Sequence, residues 1–350
     1  MRVLVTGGAG FIGSHVVELL VDAGHEVRVA DSLHPRAHRR LPKYLADGVD
    51  YRWGDLTDRV FVLDAVDGID ALSHQAAMVG LGHDFADVDA YVRDNDLGTA
   101  VLLHALHDRG FAGRIVLGSS MVVYGEGRYQ CEAHGVVRPG PRTVADIGAG
   151  NFDHGCRACG EPLRAVPVPE DASLEPRSVY AATKVHQEHL VTAFACAHDL
   201  PATLLRYHNV YGPRMPRDTP YAGVASIFRS ALERGEAPIV LEDGRQQRDF
   251  VHVLDVARAN VLALDGPALD GPLNIASGHP TTILDVARVL CRARGSGIEP
   301  AVVGGSRPGD VRHVFASTNA ARDRLRFVAE ILPEIGITEF ATAQLREPVA

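Results

Sequence analysis

The sequence predicts an α/β fold in which helices cover both faces of a parallel β-sheet. Strand-like apolar runs such as RVLVTG, HEVRVAD and RIVLGSS alternate with amphipathic stretches such as SHVVELLVDAG and TAVLLHALHDRG. Strands that are apolar along their whole length are typical of parallel sheets with both faces buried. A Gly-rich turn joins the first strand-like run to the first helix-like stretch. Right-handed crossovers would wind these elements into a Rossmann-type, doubly wound sheet.

The alternation of strands and helices continues to about residue 212 and is interrupted once. The interruption is a segment rich in Gly, Pro and Cys that lacks helical or strand periodicity. Beyond residue 212 the elements become shorter and more irregular, which indicates a smaller lobe. We therefore expect a Rossmann domain of residues 1–126 and 165–212, an insert of residues 127–164, and a substrate lobe of residues 213–350 that partly returns to the sheet.

The composition argues against several classes of protein. A formal net charge of −9 over 350 residues is unfavourable for binding nucleic acid. No apolar run approaches the roughly 20 residues that a membrane span requires, and the N-terminus shows no signal-peptide pattern. Five scattered cysteines do not suggest a disulfide framework. Cys196 and Cys291 lie in amphipathic helix-like stretches, and both are expected to be buried in the protein core. These observations predict a cytoplasmic enzyme without nucleic-acid or membrane partners.

The Gly-rich turn, VLVTGGAGFIGSH, has the pattern of a dinucleotide-binding loop. Gly7, Gly10 and Gly13 lie between a strand and a helix, where glycine lets the backbone approach a pyrophosphate. Asp31 ends the next strand 18 residues after Gly13, close to the expected spacing of about 20. Its carboxylate would accept hydrogen bonds from the ribose and repel a 2′-phosphate. The pattern predicts NAD, and the arginines of residues 36–40 leave NADP as an alternative.

Two further motifs, VLGSSMVVYGE and SVYAATKVHQEHL, predict an acid/base centre. Tyr180 and Lys184 are four residues apart and share one face of a helix. A neighbouring ammonium and a positively charged nicotinamide ring would both lower the tyrosine pKa from its usual value near 10. Ser120 follows the fifth strand, where it can pass a proton between a ligand hydroxyl and Tyr180. Ser119 is more simply explained as a residue that closes the strand.

Six ordered motifs together resemble the extended short-chain dehydrogenases/reductases, and more narrowly their NAD-dependent nucleotide-sugar epimerase/dehydratase group. They are TGGAGFIG, the Ser-x-x-x-Tyr-Gly run, YxxxK, LRYHNVYGPR, RDFVHVLDVA and RPGDVRH, and they span residues 1 to about 328. The resemblance implies that Ser120, Tyr180 and Lys184 are catalytic. It also implies a nucleotide-diphosphate-sugar substrate, a tightly bound and recycled NAD, and a homodimer.

The same resemblance implies roles for residues that no spacing identifies. The cofactor would be bound, beyond the glycines, Asp31, Tyr180 and Lys184, by Phe11, Ile12, Asp55, Leu56, Ala76, Ala77 and Asn95. The substrate would be bound by Ser120, Asn209, Arg248 and Arg307. The chain departs from the group at Gln75, where leucine is usual, and at His208, where phenylalanine is usual. The second departure would alter the substrate pocket.

The residues after Ser120 distinguish between reactions of the group. By resemblance, 4,6-dehydratases have an Asp-Glu pair and decarboxylases a glutamate where this chain has Met121 and Val122. Without a third acid/base, oxidation to a 4-keto sugar and hydride return to its opposite face give 4-epimerisation, of a dTDP-6-deoxyhexose or a UDP-hexose. A dehydratase, decarboxylase or reductase, or a non-catalytic NAD-binding scaffold, remain alternatives.

The insert contains a pattern of metal ligands. Cys131 and His134 form a CxxH pair, and Cys156 and Cys159 form a CxxC pair after a gap of 21 residues. Two such pairs suit a tetrahedral, zinc-ribbon-like Zn²⁺ site whose four positions are all filled by protein, which predicts a structural role. With YAGVASIF and EDGRQQRDF downstream, the insert resembles the branch of the family known as dTDP-L-rhamnose 4-epimerases.

Overall fold

The computed structural model describes residues 1–80, 85–217, 223–295, 297–307 and 310–346. Its strands are, in chain order, β1 (Arg2–Thr6), β2 (Glu26–Asp31), β3 (Asp50–Trp53), β4 (Ala71–His74), β5 (Arg114–Ser120), β6 (Arg128–Cys131), β7 (Gly135–Val137), β8 (Arg164–Val166), β9 (Ala202–Tyr207), β10 (Asn209–Tyr211), β11 (Ile239–Leu241), β12 (Gln247–His252), β13 (Gly271–Ile275), β14 (Pro280–Thr282), β15 (Ala301–Gly304) and β16 (His313–Val314).

The α-helices are α1 (Phe11–Asp22), α2 (Arg59–Ala65), α3 (Val88–Tyr91), α4 (Gly98–Asp108), α5 (Val144–Gly148), α6 (Val179–His198), α7 (Val224–Glu233), α8 (Val253–Asp265), α9 (Ile283–Arg294) and α10 (Pro333–Phe340). Two stretches have π-helical hydrogen bonding, Val92–Leu97 and Ala321–Leu325. Two short 3₁₀ turns are Phe85–Asp87 and Met121–Tyr124. No helix among the described residues is long and apolar enough to cross a lipid bilayer.

The central sheet has seven parallel strands in the order β13-β9-β5-β4-β1-β2-β3. The predicted Rossmann-type sheet is therefore confirmed. The strand-like runs of the sequence form strands of it, namely RVLVTG, HEVRVAD, VDYRWGD, ALSHQAA, RIVLGSS and ATLLRYHNV. The strand order reverses beside β1, and in open α/β sheets ligands bind at the carboxyl ends of strands next to such a reversal. The seventh strand, β13, was not predicted, because the short run GPLNI opens with Gly and Pro.

Helices cover both faces of this sheet. On one face α1 and α8 pack together, and Val16, Leu20 and Val256 join the strands in one apolar cluster. On the other face α2, α4 and α6 form a second cluster that includes Val62 and Leu102. Burial of each such side chain contributes roughly 1.5–3 kcal/mol to folding. A third apolar cluster, with α7, α9 and α10, forms the core of the C-terminal lobe.

The insert has more regular structure than its sequence suggests. Strands β6, β7 and β8 form a three-stranded antiparallel sheet, and α5 lies between β7 and β8. Each strand has only three or four residues and α5 only five, too short for a periodic apolar pattern.

The two cysteines outside the insert differ from each other. Cys291 on α9 is buried, as expected, whereas Cys196 on α6 is exposed. The expectation of a core position for Cys196 was wrong, because the buried stripe of α6 passes through Val191 and Ala195. The residue after Ala195 is turned about 100° around the helix from that stripe.

Candidate active site

The Gly-rich turn is tightly packed where β1 meets α1. Gly7 has a φ of 68°, and a Cβ there would lie 2.8 Å from the backbone of Ala76. A Cβ on Gly13 would collide with the carbonyl oxygen of Gly7. Gly10 is the N-cap residue of α1, and no side chain caps this helix. Uncapped amide groups after a Gly-rich turn are the arrangement that binds phosphate groups.

Asp31 lies at the carboxyl end of β2 and holds the Gly-rich turn in place. Its Oδ2 accepts a hydrogen bond from the amide of Ala9 at 3.0 Å, and its Oδ1 accepts one from the amide of Leu33 at 2.8 Å. Burial raises the pKa of this carboxyl group, and the two amides and the charge of Arg346 oppose that shift. Carboxylate oxygens accept several hydrogen bonds, so lone pairs remain for a ribose.

Asn95 connects the loop after β4 to the helix that carries the tyrosine. It is fully buried in the π-helical stretch, and its Oδ1 accepts the amide of Met78 at 2.7 Å. Its Nδ2 donates to the Met78 carbonyl at 3.0 Å and to the Thr183 hydroxyl at 2.9 Å. The Thr6 hydroxyl binds the amide of Ala76 at 3.2 Å. These contacts fix the loop that the resemblance assigns to the cofactor.

The remaining predicted cofactor residues lie in segments that follow strands of the central sheet or begin α1. They are Phe11, Ile12, Asp55, Leu56 and Ala77. Asp55 accepts hydrogen bonds from the amide and hydroxyl of Thr57, both at 2.8 Å. Leu56 is nearly buried in the cluster beneath α2 and α4. Their contacts with a cofactor stay predictions.

Ser120, Tyr180 and Lys184 lie at the carboxyl end of β5 and on the facing side of α6. Burial raises the pKa of the Tyr180 phenol, and a hydrogen bond with Ser120 opposes this shift. Burial lowers the pKa of Lys184 to about 8. The ammonium group donates to the Gly118 carbonyl at 2.8 Å. The protein groups therefore do not lower the tyrosine pKa as the spacing predicted, because Lys184 is directed at the strand.

A buried polar network anchors α6 behind these residues, and the sequence reasoning missed it. Arg206 on β9 forms a two-pronged ion pair with Glu188 on α6, at 2.9 and 2.8 Å. Glu188 also accepts a hydrogen bond from the Ser119 hydroxyl. This contact agrees with the structural role expected for Ser119. Arg206 donates to the Tyr124 hydroxyl at 2.9 Å. The available signal was the arginine within β9, a strand whose residues are all buried.

The predicted substrate residues lie on the lobe side of the sheet. Asn209 begins β10, and among the described residues its buried Oδ1 has no hydrogen-bond partner. Arg248 on β12 donates to the carbonyl of Gln247 at 2.8 Å, to that of Arg312 at 2.9 Å and to that of Val311. Because guanidinium has five N–H groups, some of them remain for a ligand. Arg307 is exposed after β15.

Of the two departures from the group's pattern, Gln75 is half-buried and His208 is buried. The Gln75 amide donates to Ser73 at 3.0 Å and to Asn260 at 2.9 Å, and its oxygen accepts the Tyr207 hydroxyl at 3.0 Å. His208 is 4% exposed, and burial lowers the pKa of its ring. Of the motifs, Pro308 and Gly309 of RPGDVRH and the first two residues of YAGVASIF lie outside the described residues.

The four predicted metal ligands come together in the insert. Their ligand atoms all lie within 4.8 Å of one another. The sulfur of Cys131 lies 3.7 Å from that of Cys159 and 3.4 Å from Nδ1 of His134, and the Cys156 sulfur lies 3.6 Å from the same nitrogen. A tetrahedral zinc with Zn–S bonds of about 2.3 Å requires sulfur–sulfur separations of about 3.8 Å. Donor set and spacing therefore fit zinc, with no position left for a substrate.

Comparison with known proteins places this geometry in a family. The model of the "NAD dependent epimerase/dehydratase family" matches residues 3–143 and 156–276, and the unmatched residues between lie in the insert. A dTDP-L-rhamnose 4-epimerase of Burkholderia thailandensis is 36% identical over 355 aligned residues, which cover 97% of this chain and 94% of the relative.

Two solved structures share the architecture over nearly their whole length. A UDP-glucose 4-epimerase of Thermotoga maritima, solved with UDP-glucose, has a TM-score of 0.80, 28% identity and 97% coverage of each chain. A UDP-glucose 4-epimerase of Thermus thermophilus, solved with NAD, has a TM-score of 0.75 and 30% identity, covering 97% of this chain and 98% of that one. The sheet order, the Gly-rich turn and the Ser120–Tyr180–Lys184 arrangement thus share one explanation: the chain belongs to the NAD dependent epimerase/dehydratase family.

Proposed function

We propose that this protein is an NAD-dependent nucleotide-sugar 4-epimerase. The observation that carries the proposal is the Ser120–Tyr180 pair at the carboxyl end of β5, with Met121 and Val122 directly after it. The side chains of Met121 and Val122 cannot transfer a proton. Elimination of water needs a further acid/base, whereas epimerisation needs only the group that deprotonates and reprotonates one hydroxyl.

The side chains divide the reaction between them. Tyr180 takes the proton of the sugar 4-hydroxyl through Ser120. It returns a proton to the same oxygen when hydride has been added back to the opposite face of C4. Bound NAD would supply the hydride acceptor, and the charge of its oxidised ring would favour the phenolate. The Gly-rich turn and Asp31 would hold its pyrophosphate and ribose. Lys184, fixed to the Gly118 carbonyl, keeps a cation beside the site below a pH of about 8.

The preferred substrate in this proposal is a dTDP-6-deoxyhexose, with a UDP-hexose second. The name of the 36%-identical relative supports the first choice, and the ligand of the Thermotoga structure supports the second. Asn209, Arg248 and Arg307 would bind the sugar diphosphate, since guanidinium groups pair well with phosphate oxygens.

The test is incubation of purified protein with UDP-, dTDP-, GDP- and ADP-sugars, followed by chromatographic separation of epimers. A pair of 4-epimers should interconvert without net NADH, and Tyr180→Phe should abolish the interconversion. Stoichiometric NADH would indicate a reductase, loss of water a dehydratase and loss of CO₂ a decarboxylase. Conversion of no sugar at all would favour the scaffold alternative.

For the insert we propose a structural zinc ion bound by Cys131, His134, Cys156 and Cys159. Such an ion would stabilise a segment in which few apolar side chains are buried. Elemental analysis should find one zinc per chain, and the double variant Cys156→Ser/Cys159→Ser should lose it. Cys196→Ser, which changes an exposed cysteine elsewhere, is the matched control. Well under one zinc per wild-type chain would refute the site.

The expected domain boundaries, the cytoplasmic location and the homodimer belong to the same proposal. The family resemblance implies pairing through α6 and the helix after Asn95, which is α4. Exposed apolar side chains at Val92 and Leu97, just before α4, support such pairing. Light scattering should give twice the chain mass, and Leu97→Glu should shift it toward the monomer.

A further inference from the structure

The insert is joined to the C-terminal lobe by an ion network whose two arginines, Arg142 and Arg312, are buried. Arg142 of the insert has a side chain 4% exposed and forms an ion pair with Glu242 of the lobe at 2.8 Å. Arg312 of the lobe has a fully buried side chain and donates to Asp153 of the insert at 2.7 Å. Arg312 also contacts Glu242 at 2.9 Å and Asp243 at 2.7 Å. The charges therefore alternate across the boundary.

The insert also fixes the backbone that surrounds Arg312. Arg142 donates to the carbonyl of Asp310 at 2.9 Å. The Tyr129 hydroxyl accepts the amide of His313 at 3.2 Å. Glu242, the partner of Arg142, has a left-handed φ of 55°, which a residue with a side chain rarely adopts without surrounding contacts. Together these contacts hold residues 310–313 from the side of the insert.

The lobe holds the same stretch of backbone from the other side. Arg248 donates to the carbonyls of Val311 and Arg312, and the amide of Asp310 donates to the Arg307 carbonyl at 3.1 Å. Arg248 and Arg307 are the two arginines assigned to the diphosphate under the proposed function. Residues 310–313 are thus bound from one side by the insert and from the other by the two arginines proposed for the diphosphate.

We propose that the insert sets the position of the diphosphate-binding arginines, and that Arg142 is the positioning residue that transmits this constraint. The inference rests on the proposed function for the identity of the ligand, a nucleoside diphosphate. Arg142 acts through Glu242 and the Asp310 carbonyl, both of which are bound by its Nη2, while its Nη1 donates to the Phe152 carbonyl of the insert at 3.3 Å. The metal ligands act one step further away, by holding the insert that presents Arg142 and Asp153.

The experiment measures nucleotide binding without turnover. Calorimetric titrations with dTDP and with UDP compare the wild type, Arg142→Ala, Arg142→Lys and Arg164→Ala. Arg164 is an exposed insert arginine bonded to Gln130 within the same small sheet, and it serves as the matched control. We expect Arg142→Ala to raise the Kd roughly ten- to hundredfold, the usual cost of misplaced binding groups. Arg142→Lys should recover part of the affinity, and Arg164→Ala should bind like the wild type.

A second measurement guards against a variant that fails to fold. Wild-type protein stripped of metal by a chelator should bind dTDP more weakly while its NAD content stays constant. Unchanged affinity in metal-free protein, or in a folded Arg142→Ala variant that retains NAD, overturns the inference. If the wild type binds neither nucleotide, both proposals fail. If it binds nucleotide but epimerises no sugar, the expected loss of affinity still supports the inference and refutes only the reaction.

Discussion

The region around α6 and the insert are both needed for the proposed activity, but they are stabilised differently. Strand β5 lies in the interior of a seven-stranded sheet, α6 packs on one face of that sheet, and the Glu188–Arg206 pair joins α6 to the neighbouring strand β9. The insert has a sheet of three short strands. It depends on four ligand side chains and on ion pairs with the lobe. The region around α6 is thus stabilised mainly by an apolar core, and the insert by ion pairs and by the metal site proposed for it.

This difference separates chemistry from substrate binding. The groups proposed to transfer protons lie on elements packed by apolar side chains, and such packing changes little when one surface contact is lost. The arginines proposed to bind the diphosphate contact backbone that also has charged contacts with the insert. Perturbing the insert should therefore alter nucleotide affinity before it alters the chemical step.

The largest expected effect tests the core-held region. Tyr180→Phe removes the acid/base while keeping the ring, so turnover should fall roughly 10²- to 10⁴-fold. The variant should retain NAD and zinc at wild-type levels, which elemental analysis and absorbance of released dinucleotide would check. Near-normal turnover would contradict the assignment of Tyr180.

The second effect concerns stability. Glu188→Gln leaves the guanidinium of Arg206 buried without its ion-pair partner, and the free energy of unfolding should fall by about 3–5 kcal/mol. Urea unfolding measures the change. Asp108→Asn breaks the exposed pair with Arg59 and should have little effect. Equal effects of the two substitutions would show that α6 does not depend on the buried pair.

The third effect depends on pH. Burial lowers the pKa of Lys184 to about 8 from an ordinary value of 10.5. Between these values the unfolded chain binds more protons than the folded one, so this lysine favours folding increasingly as the pH rises. Compared with Lys184→Met, dinucleotide-free wild type should gain about 2 kcal/mol of stability from pH 8 to 9.5. A difference that stays constant with pH would refute a lowered pKa.

The smallest effect on the whole protein should come from removing the metal. Hydrogen exchange should accelerate in residues 128–166 and stay unchanged in β1, β4 and β5. The melting temperature of the sheet should shift by less than about 4 °C, since the core keeps its contacts. Cooperative loss of both regions on chelation would show that they are one folding unit.

The sequence was sufficient for elements whose signal is local. Strands β1, β2, β4, β5 and β9 come from largely apolar runs, and the four metal ligands form two recognisable pairs. The docking of the insert was not predictable, because Arg142 and Asp153 contact residues about 100 to 170 positions away in the chain. The same holds for Glu188 and Arg206, which are joined only when α6 packs on β9. Pairing of charges across a fold leaves no periodic pattern in the sequence.

The ends of the insert lie side by side. Strands β6 and β8 pair antiparallel, with Arg128 opposite Val166, so the chain leaves the Rossmann domain and returns to it at nearly one point. Cα atoms of such a pair are about 5 Å apart. A loop with adjoining ends can be exchanged, shortened or extended without moving the strands that flank it. A segment of different length or sequence could therefore replace the insert at this point while β5 and α6 keep their positions.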